Sequence, residues 1–324
     1  MTPPIFKTAA ALALIVPLAG FAADARAQEW KPTQTMQMIV ASGAGTAYDV
    51  MARGMSKHWE KYFGVKLVVQ NIAAAGGSLG FDRVATSKPD GHTIGFMSRS
   101  PYIGEMMKKS FAWNLSDVPM ILGADTPPYA VATGTKSPFK AWDDVRKAKT
   151  RIKIGIAGQL ATDIVVIKDL LERKVEVTSA SFGGTNQIVT AIQAGDVDVW
   201  TTVASQTLLD PVKAGHVRPL FTLATTRYSE LPDTPTYLEL GMPEEYKNVG
   251  AIRLWFAPIG TPQAIVDETA KRMTALLDDP ELKDWNKTNG FVEALMSGAA
   301  AKATQDGLYK IIKDNDDIYQ KYGG

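Results

Sequence analysis

The run Met36-Gln37-Met38-Ile39-Val40, the loop Ala41-Ser42-Gly43-Ala44-Gly45-Thr46 and the opening Ala47-Tyr48-Asp49-Val50 decide the fold. The first is apolar, the second is small and holds two glycines, and the third starts a helical pattern that runs to about Tyr62. Together they read as strand, loop and helix. The unit repeats at residues 66–70, followed by a glycine-rich turn and a helix near Phe81, and again at 93–97 after the turn Pro89-Asp90-Gly91-His92. Such alternation predicts a mostly parallel sheet covered by helices. A second series begins with a strand at 151–156 and continues through a helix at 162–172, a strand at 175–179 and a helix at 186–194. Gly195 is suited to end that helix, and a strand at 197–201 follows. The chain thus reads as two α/β lobes: residues 28–127 with 226–324, and residues 128–225. The crossings fall near 124–131 and 221–226, and two late helices at 262–277 and 300–322 close the chain.

The composition bounds the chemistry. The chain has 324 residues, 35 Lys and Arg against 34 Asp and Glu, no Cys, and His only at 58, 92 and 216. Near-neutral charge gives no general attraction for nucleic acid or an anionic membrane. The lack of Cys excludes disulfides, thiol nucleophiles and thiolate metal sites. Lys7 precedes the apolar run 9–21, which leads to Ala25-Arg26-Ala27. This is a secretory signal with cleavage expected after Ala27, because the run falls short of the ~20 apolar residues of a membrane span. Removing residues 1–27 takes away Lys7, Arg26 and Asp24, which leaves 33 basic against 33 acidic side chains.

Open α/β sheets place ligands at the loops after their strands. In the first such loop Thr46 is the expected N-cap and Asp49 stands three residues on, an approximate capping box. Gly43 and Gly45 let backbone N–H groups turn toward a ligand, and the helix start adds positive potential. The pattern is an anion cradle built without Lys or Arg. Gly43-Ala44-Gly45 also begins a dinucleotide fingerprint, but Tyr48 stands where its third glycine belongs. The second loop contains Gly76-Gly77-Ser78-Leu79-Gly80, the G-x-S-x-G of a nucleophile elbow. A serine esterase using Ser78 would need an acid and then a His downstream, and only His92 and His216 follow. In the other lobe, residues 157–162 and 181–186 again join strand to helix, with Thr185 a suitable N-cap. Two lobes with such loops on opposing walls suit a ligand with two carboxylates. Ionic hydrogen bonds of about 1.5 to 3 kcal/mol each and helix termini of about 0.3 to 2 can reach the ~8 kcal/mol of micromolar binding.

Met38-Ile39-Val40 leading to Gly43, Gly45, Asp49, Ala52 and Arg53 resembles the opening of the tripartite tricarboxylate transporter receptors, the Bug-type solute-binding proteins. The resemblance continues through Asn71, Ala75, Gly76, Gly77 and Gly80, then Pro89-Asp90-Gly91-His92-Thr93, Gly183-Gly184, Gln193-Ala194-Gly195-Asp196, Leu231-Pro232-Asp233-Thr234-Pro235 and Phe256-Ala257-Pro258. It spans essentially the whole mature chain. It implies an α/β, two-lobed periplasmic-binding-protein fold, Venus flytrap and type II-like, with a mixed sheet in each lobe. It also implies a monomeric periplasmic receptor that captures a small carboxylate and delivers it to the integral subunits of a membrane transporter. Neither enzyme activity, cofactor nor metal is implied. A loaded receptor docking onto a membrane sensor kinase is the alternative role.

Carried over by position, Ser42, Gly43, Ala44, Gly45, Thr46, Ala47 and Tyr48 would hold one ligand carboxylate, with Gly76, Gly77 and Ser98 on the same wall. Gly158, Gln159, Ala161, Thr162, Gly183, Gly184 and Thr185 would receive the distal end. The chain departs from the family where Tyr48 replaces a small aliphatic residue and Trp200-Thr201-Thr202 stands where an acid is common. Loss of that acid favours a diacid over an amino acid and puts Thr201 on the ligand wall. Tyr48, Phe182 and Trp200 offer aromatic faces to a planar, terephthalate-like ligand. Arg99, at a strand's end, is expected to pair with a carboxylate.

Overall fold

In the computed structural model, the described residues are 30–99, 111–157, 162–182, 185–250, 252–291 and 294–322. The expected first unit is present as β1 (Met36–Val40), α1 (Ala47–Phe63) and β2 (Leu67–Asn71). Thr46 caps α1 by accepting from the Asp49 N–H, and Gly64, at φ 73°, closes it with a bond to the Glu60 carbonyl. Between the caps, Met51, Ala52, Met55, Trp59 and Phe63 form one buried stripe, the face that docks on the sheet. A one-turn helix at Ala74–Gly77 runs into α2 (Ser78–Ala85), and β3 (Thr93–Ser98) and β4 (Met120–Asp125) follow.

The chain then crosses to a second sheet. Its elements are β5 (Tyr129–Gly134), α3 (Trp142–Arg146), β6 (Ile152–Ala157), α4 (Asp163–Glu172), β7 (Val177–Phe182), α5 (Thr185–Ala194), β8 (Val199–Val203), α6 (Gln206–Lys213) and β9 (Val217–Thr222). It returns as β10 (Ile252–Phe256), α7 (Gln263–Leu277), α8 (Pro280–Thr288), β11 (Leu295–Ser297), α9 (Gly298–Lys313) and α10 (Asp316–Tyr322).

Both sheets are mixed. The first runs β11-β4-β10-β3-β1-β2 and the second β7-β6-β8-β5-β9. β1 is parallel to β2 and β3, whereas β10 lies antiparallel between β3 and β4. In the second sheet β6 is parallel to β7 and β8, and β5 is antiparallel to β8 and β9. The expectation of a mostly parallel sheet, drawn from periodicity, is corrected here. A returning strand such as β10 reads as an apolar run whichever way it points.

Two further corrections concern the late chain. The helix expected over 300–322 is two helices, broken at Asn315, whose side chain donates to the Ile311 carbonyl at 2.7 Å. The second of them, α10, leaves the first sheet. Ser179 of β7 donates to the Tyr322 carbonyl at 3.3 Å, and Ile318 and Tyr319 join the same buried cluster as Ile154 and Val177. The return after β9 is also later than residue 226. Thr236 still bridges Thr222, and Arg146 of α3 donates to the Leu240 carbonyl at 3.0 Å.

Candidate functional site

β1, β3 and β4 point the same way, so their C-terminal ends share one edge of the first sheet; β6, β7 and β8 do the same in the second. Residues 126–128 connect the end of β4 to the start of β5, which lies beside the end of β8. β9 ends at the same edge. Both crossings therefore join C-terminal edge to C-terminal edge, which turns the post-strand loops of one sheet toward those of the other. A cavity of about 620 Å³ lies at the crossings, lined by Asp125–Pro128 and Leu223–Ser229 among others.

The first loop is held from below by Asp49, a buried residue. Its Oδ2 accepts from the Gly45 N–H at 2.8 Å and its Oδ1 pairs with Arg53 Nε at 2.9 Å. Burial would raise the Asp49 pKa, but the Arg53 guanidinium, the Gly45 N–H and the Asn71 amide hold it below the usual carboxylate range. Asn71 extends the clamp by accepting from Arg53 at 3.0 Å and donating to the Ser42 carbonyl at 3.1 Å. Ser42 and Thr46 hydroxyls meet at 2.8 Å, and Thr46 donates to the Gly43 carbonyl. The N–H of Gly45 is thus spent on Asp49, which corrects its expected part as a ligand donor. Among the described residues, no acceptor meets the N–H groups of Ala44 or Ala47, and both residues are exposed. These are the unfilled donors of a helix start.

The second loop packs on the first. Ala75, Gly76 and Gly77 take successive left-handed φ angles of 53°, 65° and 94°. A Cβ at Gly77 would run into the Ala41 carbonyl, so glycine is what lets the two loops touch. Ser78 is buried, and its hydroxyl donates to the Ala75 carbonyl at 2.9 Å. It serves the turn rather than standing exposed as the nucleophile of an elbow.

The ends of β3 and β10 carry two arginines on opposite faces. Arg99, fully buried, donates to the backbone carbonyls of Thr304 at 2.6 Å, Asn248 at 2.5 Å and Gly250. The expected ligand clamp at Arg99 is corrected: its guanidinium ties β3 to α9 and the 248–250 segment. Arg253, which pairs in register with Ser98, is 9% exposed and lies 5.4 Å from the centre of the Tyr48 ring and 5.3 Å from that of Phe291. Burial raises the Tyr48 pKa and the nearby Arg253 guanidinium opposes the rise. Tyr48 also packs edge-on against Phe96 at 5.4 Å. The anion cradle expected to lack Lys and Arg therefore has a buried cation behind it. A charged residue inside the apolar run 252–256 was the signal available for Arg253.

In the second sheet, Thr162 precedes α4 and is buried, and Asp163 follows in the first turn at 5% exposure. Thr201 is buried rather than lining a wall, and its hydroxyl has no hydrogen-bond partner among the described residues. Burial pushes the Asp163 pKa up to about 7, with the nearby Thr201 hydroxyl opposing the rise. Asp163 carried no motif. Trp200 is fully buried and so is a core residue, while Phe182 is half-buried at the end of β7. Thr185 begins α5. Gly158, Gln159, Ala161, Gly183 and Gly184 lie outside the described residues.

Among the described residues one cluster has metal-ligand chemistry, His58 with Asp279 and Glu281. Asp279 Oδ1 accepts from the N–H groups of Glu281 and Leu282 and Oδ2 from Lys61 and Tyr62, so its oxygens are engaged as the cap of α8.

Comparison with known proteins agrees with this architecture. Residues 51–315 match the tripartite tricarboxylate transporter family receptor description. A UPF0065 protein of Bordetella bronchiseptica is 26% identical over 278 residues, 84% of this chain and 79% of that one. A TctC solute-binding protein from Polaromonas superposes with a TM-score of 0.73 at 18% identity, covering 87% of this chain and 99% of that one. MatC from Rhodopseudomonas palustris, solved with bound malate, gives 0.65 at 22% identity over 89% and 99%. The fold is that of periplasmic binding proteins, and the chain belongs to the family of tripartite tricarboxylate transporter receptors.

Proposed function

We propose that this receptor captures a dicarboxylate, terephthalate-like aromatic diacids included, between the loops on the facing edges of its two sheets. It delivers the ligand to the membrane subunits of a tripartite tricarboxylate transporter. In this reading residues 1–27 are a leader removed after Ala27 and the mature protein works in the periplasm as a monomer. Ser42 to Tyr48, Gly76, Gly77 and Ser98 form one wall; Gly158, Gln159, Ala161, Thr162, Gly183, Gly184 and Thr185 receive the distal end of the ligand.

The observation that carries the reading is the start of α1. Asp49, Arg53 and Asn71 fix the loop internally, so the open N–H groups of Ala44 and Ala47 stand preorganised at the positive end of a helix. The malate bound by MatC, a protein of the same fold, lends support.

A thermal-shift panel of aliphatic, aromatic and amino-acid carboxylates on the mature protein tests it. One class should raise the melting temperature by several degrees. No shift with any carboxylate overturns the proposal.

A further inference from the structure

We propose that the cavity at the crossings is a second binding site, one that takes a small multivalent oxyanion and opposes closure of the cleft. Strand order sets its position. The loops assigned to the ligand follow β1, β2 and β3 in the first sheet and β6 and β7 in the second. Away from them, the first sheet continues through β10 to β4 and β11, and the second through β8 to β5 and β9. The cavity is lined by Asp125 and Ala294, at the end of β4 and just before β11, and by Leu223–Ser229, directly after β9. Among the described residues, none from the ligand loops lines it. It therefore lies on the outer side of the hinge, and a rotation that brings the cleft loops together draws its walls apart.

Each wall of the cavity carries one cation. Arg227 belongs to the second sheet: it donates to Glu239 from Nε at 3.1 Å and from Nη2 at 2.9 Å, and to the Pro232 carbonyl at 3.1 Å. Glu239 in turn accepts from the N–H of Thr236, which bridges Thr222 at the end of β9. A guanidinium has five N–H groups, so one remains on each terminal nitrogen of Arg227. Lys247 belongs to the first sheet, because the Asn248 and Gly250 carbonyls beside it are held by Arg99 at the end of β3. Its ammonium meets Glu244 at 3.2 Å and has donors to spare. Between the two cations, no acceptor among the described residues meets the backbone N–H groups of Thr225, Thr226 or Arg227, and all three residues are exposed. Asp125 is the one acid among the described lining residues. Two cations and a run of open N–H groups against one carboxyl favour an oxyanion. An anion that touches both cations ties the outer walls together, which is the arrangement of an open cleft. Occupancy there lowers affinity in the cleft, and by linkage a loaded cleft expels the anion.

Calorimetric titration of the mature protein with citrate and with pyrophosphate, at matched ionic strength, tests the site, and the probe that binds tells a carboxylate occupant from a phosphate. Arg227→Gln and Lys247→Gln should each weaken that probe by about fivefold or more. Absence of binding by both probes overturns the site. Binding that neither variant weakens puts the probe elsewhere and overturns it too. The coupling rests on the receptor reading and is tested with whichever carboxylate raises the melting temperature. Probe at a concentration that fills the wild-type site but not the Lys247→Gln site should weaken that carboxylate by about threefold or more in the wild-type protein only. An unchanged affinity in the wild-type protein, or an equal loss in Lys247→Gln as direct competition in the cleft would give, overturns the coupling. If no carboxylate engages the cleft, the receptor reading fails while the probe titrations still decide the site.

Discussion

The buried carboxyl of Asp163, in the first turn of α4, lies beside the buried Thr201 hydroxyl of β8, and neither Asp163 Oδ1 nor that hydroxyl has a hydrogen-bond partner among the described residues. Burial takes its pKa from 3.8 to about 7. Between those values the folded protein keeps a proton that the unfolded chain has released. Stability from this group therefore falls as pH rises through the window from about 4 to 7 and levels off above it, with a ceiling of about 4 kcal/mol. Asp163→Asn should stabilise by about 1 to 3 kcal/mol at pH 8 and by little at pH 4. Urea unfolding at the two pH values checks this; equal effects at both would contradict it.

Asp49 carries the opposite sign. Its lowered pKa means that its contribution is present above the usual carboxylate range and is lost as the solution is acidified. Asp49→Ala should cost about 1 to 3 kcal/mol by releasing the Gly45 N–H and freeing Arg53. It should also weaken by about tenfold the binding of whichever carboxylate raises the melting temperature, because the loop loses its preorganisation. Melting curves and titration on one preparation separate the two effects.

A third expectation concerns the second sheet's helices. Asp169 is buried and accepts from Trp142 at 2.8 Å and from Arg146 through both oxygens at 2.9 Å, with Arg173 at 2.8 Å. Removing one side of such a network leaves uncompensated buried charge. Asp169→Ala should destabilise by about 3 to 5 kcal/mol, while affinity measured well below the melting point stays the same.

Two glycines of the candidate wall differ in kind. Gly45 has φ 78° and open space around it, so Gly45→Ala should cost about 1 kcal/mol of backbone strain. Gly77, at φ 94°, faces the Ala41 carbonyl as well, so Gly77→Ala must also push the two loops apart. Its loss should exceed that of Gly45→Ala by about 1 to 3 kcal/mol in thermal melts.

Much of this architecture was legible in residue order. The Thr46 cap and the Asp49 position are local, and local rules placed α1 to within a residue. What failed was non-local. Nothing in the run 252–256 states that β10 inserts antiparallel between β3 and β4, since partner choice depends on segments over a hundred residues away. The break at Asn315 was equally hidden, because α9 and α10 share one helical pattern and differ only in which sheet they cover. At the site, spacing located the loops but not which donors remain open. The Gly45 N–H belongs to Asp49, and Arg99 is drawn inward by three carbonyls that arrive from residues 248–304. Asp163 lacked any motif because its character comes from burial.

The central place of β10 in the first sheet also governs how the protein is made. β3 and β4 are neighbours in sequence but not in space, and the strand between them is synthesised more than 120 residues later. Until residue 256 has left the ribosome, the first sheet consists of a three-stranded piece and a separate strand, with Leu254, Trp255 and Phe256 missing from its middle. An early half-fold is therefore open and readily unravelled. Chain order alone postpones completion of the sheet, and a circular permutant that moves β10 next to β3 should refold faster in stopped-flow measurements.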